Sequence, residues 1–163
     1  MIQKKRLYSI LISALFVTTA FALTSRNASA QKGLAKSHPD SVQQQPLYSD
    51  YKGVRIGMKA AEVHATLGKP ELAADDQDYY IISQTETVQI AYDAAHKTKA
   101  ISVDFIDGIG APDYRAVVGP DVELSPDGSI HTLINYQSLG FWVSYNRMAG
   151  GVTTVSITIQ KIL

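Results

Sequence analysis

Few side chains in this 163-residue chain could do chemistry, and their spacing does not assemble a known type of catalytic site. No two of the four histidines have a ligand-type spacing such as His-x3-His. The sequence contains no Gly-x-Ser-x-Gly nucleophile turn and no phosphate-binding glycine loop. We interpret His38, His64 and His96 as surface residues and expect His131 on one face of a sheet. The sequence therefore predicts no catalytic residue, no cofactor and a protein that is not an enzyme.

The run Asp75-Asp76-x-Asp78 is the best candidate for a metal site, because Ca²⁺ is bound by several carboxylate oxygens. It lacks the glycine and the terminal glutamate of an EF-hand loop. Acidic residues so close together are also typical of a solvated turn before a strand, which is the interpretation we adopt. We predict no metal site.

Residues 1–30 have the three parts of an export signal. The basic run Lys4-Lys5-Arg6 precedes the apolar stretch Leu7–Leu23, and Ala28-Ser29-Ala30 is typical of a cleavage site before Gln31. A retained membrane anchor is the alternative, but the apolar stretch is at the short limit for a spanning helix. We predict an exported protein, periplasmic or secreted, that is cleaved at this position.

Cleavage would change the charge of the chain. The sequence has 15 basic and 15 acidic residues, and loss of Lys4, Lys5, Arg6 and Arg26 leaves a net charge of 11 − 15 = −4. No basic stripe remains, which argues against nucleic acid and anionic lipid as partners. The chain has no cysteine, and this excludes a disulfide framework, a thiol nucleophile and a lipid anchor on cysteine.

The elements that would position a site are arranged as two similar units, residues 53–106 and 108–159. Each unit opens with glycine, a short helix-like stretch and a second glycine, and continues with three strand-like runs. Helices are predicted over Lys59–Leu67 and Pro112–Val118, each ended by a glycine with proline nearby. No capping side chain precedes the first helix, so we expect Gly57 to serve as its cap.

Residues 31–50 precede these units and have no apolar period, so we predict a disordered tether. A segment that folds onto a partner is the minority interpretation. The chain is thus divided into a cleaved signal, a tether and two repeats that form one globular domain: residues 1–30, 31–50, 51–107 and 108–163.

The strand-like runs alternate apolar and polar residues, as strands with one buried face do. The apolar members are Val88, Ile90 and Tyr92, then Ile101, Val103 and Phe105, then Phe141, Val143 and Tyr145, then Val155, Ile157 and Ile159. We predict an α+β fold in which tandem helix–strand–strand–strand units form one antiparallel sheet of about six strands. Two short helices should cover one face of it.

The stretch Ile56-Gly57-Met58-x4-Val63-x3-Leu67-Gly68-x-Pro70, followed by Tyr79-Tyr80, resembles the SmpA/OmlA (BamE-type) domain of outer-membrane barrel assembly. That domain is similar in fold to the repeats of β-lactamase inhibitor protein, in which two copies form one sheet. The chain lacks the cysteines of both families and has Lys59 where BamE-type domains usually have threonine. The resemblance implies a non-enzymatic exported module that binds other proteins or the cell envelope, and no contact residue is carried over from it.

The other face of the predicted sheet would be open, and Trp142 would lie on it, because its neighbours Phe141 and Val143 point to the core. A large aromatic among small polar residues is typical of a recognition surface. Cover by the tether or by loops of the other half is the alternative for this side chain. The predicted partner-binding residues are Trp142, His131, Leu133, Ser144, Gln89 and Asp104.

These patterns favour an exported binding module that holds another protein, such as an envelope or outer-membrane assembly component, on the open sheet face. A structural accessory of outer-membrane assembly, docked through loops and tether, is an alternative. A small ligand carrier or hydrolase with a site between the two halves is a further alternative.

Overall fold

The alternating runs form one antiparallel sheet in the computed structural model, which describes residues 45–162. The helices are α1 (Ala60–Leu67) and α2 (Tyr114–Val118). The strands are β1 (Leu72–Ala73), β2 (Gln77–Ile81), β3 (Glu86–Tyr92), β4 (Thr98–Ile106), β5 (Ile130–Tyr136), β6 (Phe141–Met148) and β7 (Thr154–Lys161). A turn of 3-10 helix, Gln137–Leu139, links β5 to β6. The predicted export signal, residues 1–30, and most of the predicted tether lie outside the described residues.

The strands lie in the order β1-β2-β3-β4-β7-β6-β5, so β4 and β7 pair at the centre and β5 forms an edge. The α+β class and the single antiparallel sheet are confirmed. The sheet has seven strands rather than about six, because Leu72 and Ala73 pair with Tyr79 and Asp78. A strand of two residues is too short to show an alternating pattern, and this is why the sequence did not reveal it.

Helix α1 begins and ends through local hydrogen bonds. The backbone N–H of Lys59 donates to the Glu62 carboxylate at 2.7 Å, and the N–H of Gly68 donates to the carbonyl of His64 at 2.9 Å. Gly68 has φ 86°, a conformation that favours glycine, so the predicted stop is confirmed. The prediction of Gly57 as the cap is wrong, since the capping position is Lys59, next to the first helical turn.

Helix α2 is shorter than the sequence indicated. The Asp113 carboxylate accepts a hydrogen bond from the backbone N–H of Arg115 at 2.8 Å, which makes Asp113 the cap and Tyr114 the first helical residue. Pro112 therefore lies before the helix rather than in its first turn. Gly119 ends it as predicted, with φ 97°.

The core lies between one face of the sheet and the two helices. All the strand residues that the alternation assigned to the core are buried, from Val88 in β3 to Ile159 in β7. Helix α1 contributes Val63 to this cluster, and helix α2 contributes Tyr114, Val117 and Val118. Helices of these lengths are marginal in isolation, so packing on the sheet is what stabilises them.

The segment before α1 also packs on the fold. Tyr51 is buried and its hydroxyl donates to the Glu86 carboxylate at 2.7 Å. Upstream, Tyr48 packs against the core, and the backbone N–H of Leu47 lies 3.4 Å from the Tyr136 hydroxyl. Burial, with the nearby carboxylates, raises the pKa of Tyr48 to about 12. The described residues 45–50, which the sequence assigned to the tether, thus run along the folded domain.

We expect Ile157→Ala to lower the free energy of unfolding by about 2–5 kcal/mol, because Ile157 is fully buried at the centre of the sheet and faces Val103 across the β4–β7 pair. Chemical denaturation of the purified protein measures this. Val152→Ala, at an exposed position, is the matched control and should change the value by less than about 0.5 kcal/mol. Equal effects of the two variants would contradict the placement of the core.

Candidate functional site

The face of the sheet opposite the helices forms a continuous surface, which we call the open face. Strand pairing places its side chains in three rows that cross β2, β3, β4, β7, β6 and β5 in turn. The rows are Tyr79–Gln89–Ser102–Thr158–Ser144–Leu133, then Ile81–Thr87–Asp104–Ser156–Asn146–His131, then Gln77–Ala91–Ala100–Gln160–Trp142–Asn135. All the residues predicted to bind a partner therefore lie on one face.

Four of them form one group on β5 and β6, which we call the tryptophan patch: Trp142, Leu133, Ser144 and His131. Ser144 pairs directly with Leu133, and Trp142 pairs with Asn135, two residues from Leu133 along β5. A diagonal cross-strand neighbour lies about 7–8 Å away, within reach of an indole ring. Trp142 is half-buried and Ser144, also predicted to bind a partner, is buried, whereas Leu133 is 53% exposed. The patch thus offers an aromatic side chain next to an exposed aliphatic one.

The other two predicted residues lie elsewhere on the open face. Gln89 is in the same row as Ser144 but three strands away, about 14 Å at the usual strand spacing. Asp104 lies on β4, and its carboxylate accepts a hydrogen bond from the Ser156 hydroxyl. The sequence thus identified the shared face correctly, but it could not separate these residues from the tryptophan patch without the strand order.

The middle of the open face is occupied by polar side chains that bond one another. The hydroxyls of Ser102 and Thr158 lie 3.2 Å apart across the β4–β7 pair. Near the edge, His131 Nδ1 lies 3.0 Å from the Asn146 side-chain oxygen. On β3, the Gln89 amide donates to Gln77 at 2.7 Å. Because these groups already have partners, the apolar side chains of the face are the ones left to gain most from contact with another molecule.

A second apolar group lies on the opposite flank, and the sequence interpretation missed it. Tyr79 and Ile81 on β2 and Leu72 on β1 share this flank, with Leu72 67% and Ile81 58% exposed. Five strand spacings, about 24 Å, separate Tyr79 from Leu133 across the sheet. The alternation of Tyr79 and Ile81 with the buried Tyr80 was the signal that could have revealed it.

On the covered face, a buried carboxylate holds a polar network. Asp78 accepts hydrogen bonds from the hydroxyls of Tyr92 at 2.5 Å and Tyr80 at 3.5 Å, and its Oδ2 lies 2.7 Å from His64 Nε2. The interpretation of His64 as a surface residue is incomplete, since its exposed ring ties helix α1 to strand β2. Asp78 and Tyr80 are two residues apart on β2 and so lie on the same, covered face. This spacing was the sequence signal that could have revealed the buried position of Asp78.

The network shifts the ionisation of its tyrosines. Burial, together with the charge of Asp78, raises the pKa of Tyr80 to about 12. Burial and the hydrogen bond to Asp78 raise the pKa of Tyr92 well above its usual range. Both phenols therefore stay protonated and continue to donate to the carboxylate at neutral and mildly alkaline pH.

The acidic run is divided by the fold. Asp75 and Asp76 lie in an exposed turn, whereas Asp78 points into the core as a strand residue. Within residues 45–162, no group of three or more histidine, cysteine, aspartate or glutamate side chains is arranged to hold a metal ion. The prediction of a solvated turn is therefore right for Asp75 and Asp76 but wrong for Asp78. Asp78 lies in β2, where every second side chain is buried.

Two hollows open on the described part of the molecule. One, of about 500 Å³, is lined by His64, Gly68, Lys69, Pro70, Glu71 and Ala73. The other, of about 450 Å³, lies at the end of the sheet beside α2, with Arg115, Arg147, Asp107 and Asp113 in its lining. The first is lined by residues of the first repeat alone, whereas the second is lined by Asp107, the last residue of the first repeat, together with residues of the second repeat. The alternative of a ligand carrier or hydrolase stays a prediction.

Comparison of the chain with protein-family models, with curated proteins and with solved structures finds no match. The resemblance to SmpA/OmlA domains therefore stays a prediction. No helix among the described residues is long and apolar enough to cross a membrane.

We expect Asp78→Ala to lower the free energy of unfolding by about 2–4 kcal/mol, because it leaves two buried tyrosine hydroxyls without their acceptor. Urea denaturation measures this. Asp75→Ala is the matched control from the same acidic run and should change the value by less than about 0.5 kcal/mol. Similar losses in both variants would show that Asp78 has no special role in the core.

The raised tyrosine pKa values also predict a loss of stability in alkali. A tyrosine in the unfolded chain releases its proton near pH 10, whereas folded Tyr80 holds it to about pH 12. The stabilisation is therefore complete below about pH 10 and decreases as pH rises from 10 towards 12. Denaturation midpoints measured across this range test it, and a constant midpoint would be the contrary result.

Proposed function

We propose that this chain is an exported, non-enzymatic binding module that holds another protein on the open face of its sheet. The observation that carries the proposal is the tryptophan patch, in which half-buried Trp142 lies beside exposed Leu133. A tryptophan anchor supplies a large contact area at small entropic cost, and such residues account for much of the energy of many protein interfaces.

The arrangement of the face supports a protein rather than a small molecule as the partner. The open face is a broad surface of cross-strand rows, with the tryptophan patch on one flank and Leu72, Tyr79 and Ile81 on the other. A separation of about 24 Å between flanks suits an extended protein surface. The polar side chains between the two flanks are already hydrogen-bonded to one another, so a partner could cover them with little rearrangement.

We also propose that the sheet arose from two copies of one helix–strand–strand–strand unit. The mirrored strand order, with β2-β3-β4 on one side and β7-β6-β5 on the other, supports this. In the alignment of the two units, Val103 corresponds to Ile157, and these two residues pair with each other at the centre. The hydrogen bonds Ser102–Thr158 and Ser156–Asp104 are related by the same correspondence. Duplication would have kept the core and left the open face free to diverge.

We expect Trp142→Ala to reduce recovery of the partner at least tenfold in a pull-down from envelope extract, which corresponds to about 1.4 kcal/mol or more of binding energy. The bait is the tagged chain without residues 1–30, and recovered proteins are quantified by mass spectrometry.

Val152→Ala serves as the matched control, since it shortens an exposed aliphatic side chain that lies outside the strands of the open face. Both variants should keep the urea midpoint of the wild type, so that a difference in recovery reflects the surface and not the fold. Equal recovery of every protein by wild type and Trp142→Ala would refute the role of Trp142.

A further inference from the structure

The two edges of the sheet differ in a way that exposes one of them to another chain. At one edge, β1 has two residues; at the other, β5 has seven and pairs with β6 without a register shift. Every second residue of β5 directs its backbone N–H and C=O outwards, and no strand among the described residues pairs with them. Such an edge is a template for a further strand.

The sequence of β5 has none of the devices that usually protect an edge. Ile130–Tyr136 contains no lysine, no proline and no residue of fixed charge. Residues 45–50 approach the end of the strand, where the backbone N–H of Leu47 donates to the Tyr136 hydroxyl at 3.4 Å, but they form no backbone–backbone hydrogen bond with β5. The outer side of β5 is therefore open along its length in the described part of the chain.

The side chains of β5 are complementary to a second copy of the same strand. In an antiparallel pair centred on Leu133, this residue faces Leu133 of the second copy, and both lie on the open face. On the same face, His131 faces Asn135 of the second copy, and Asn135 faces His131 of the second copy. Each pair brings an imidazole opposite an amide with which it can form a hydrogen bond. On the covered face, Thr132 faces Ile134. No two like charges meet in this register.

We propose that two copies of this chain associate through β5, antiparallel about Leu133, and join their seven-stranded sheets into one two-fold dimer. We favour a second copy over an unrelated extended peptide, because the side chains that meet in this register, Leu133 with Leu133 and His131 with Asn135, are compatible with one another.

The second copy would extend the tryptophan patch. Asn135 pairs with Trp142 on one side and would face His131 of the second copy on the other. That histidine would lie two strand spacings, about 10 Å, from Trp142 across the sheet. Both tryptophans would lie on one continuous face, so a dimeric target could be held at two points. The association itself does not depend on what the open face binds.

Sedimentation velocity of the chain without residues 1–30 tests the proposal. The wild type should show a concentration-dependent dimer. Leu133→Lys and Leu133→Glu should each raise the dissociation constant at least tenfold, because each places like charges directly opposite one another across the two-fold axis. An equimolar mixture of the two variants should dimerise again, since residue 133 then faces the opposite charge.

Two matched controls locate the contact. Leu72→Lys changes an exposed leucine at the other edge, and Trp142→Ala changes the patch behind β5; both should dimerise as the wild type does. Because the chain has no cysteine, Leu133→Cys should give a disulfide-linked dimer under mild oxidation. Ile81→Cys, exposed on the opposite flank, should not.

A monomer at every concentration tested would overturn the proposal. So would a dimer that Leu133→Lys leaves intact, or variants of opposite charge that fail to associate when mixed. A dimer that is lost in Leu72→Lys but kept in Leu133→Lys would place the contact at the β1 edge instead and would equally overturn it.

Discussion

The pairing of β4 with β7 is the constraint on which the rest of the structure depends. These strands join the two halves of the sheet, and their buried side chains meet at the centre of the core, where Val103 faces Ile157. On the other side of the same ladder, Ser102 bonds Thr158. A shift of the register by one residue would bury the polar row and expose the apolar one, so the register is strongly determined. Because side chains alternate between the two faces of a sheet, the same register that buries the apolar residues also places the polar ones on the open face.

Much of this arrangement could be predicted from alternation alone. The runs in β3, β4, β6 and β7 are long enough for a period of two to assign each side chain to a face, and the assignment placed Trp142 on the open one. Strand order could not be predicted in the same way, because it depends on contacts between residues far apart in sequence. Without that order, Gln89 could not be distinguished from residues beside Trp142, and the short strand β1 left no pattern to detect.

Asp78 shows the opposite case, in which a local rule was misleading. An aspartate near two others suggests a solvated turn, but β2 begins at Gln77 and directs Asp78 inwards. The carboxylate is then balanced by three donors or potential donors from β2, β3 and α1. A protein interior tolerates a carboxylate only when its oxygens are hydrogen-bonded. Among the described residues, no buried polar side chain lacks a hydrogen-bond partner. A polar cluster thus fixes the position of a helix too short to be stable alone.

The unequal lengths of the two sheet edges have a consequence for aggregation. A sheet that can accept strands at both edges can polymerise, because each added molecule presents a new acceptor site to the next. Here the edge formed by β1 has only two residues, followed by a turn that carries Asp75 and Asp76. Growth at that side would gain few hydrogen bonds and would bring acidic groups together. Strand addition would thereby be confined to one side of the molecule, so that association through β5 would end at a dimer instead of continuing into a fibre.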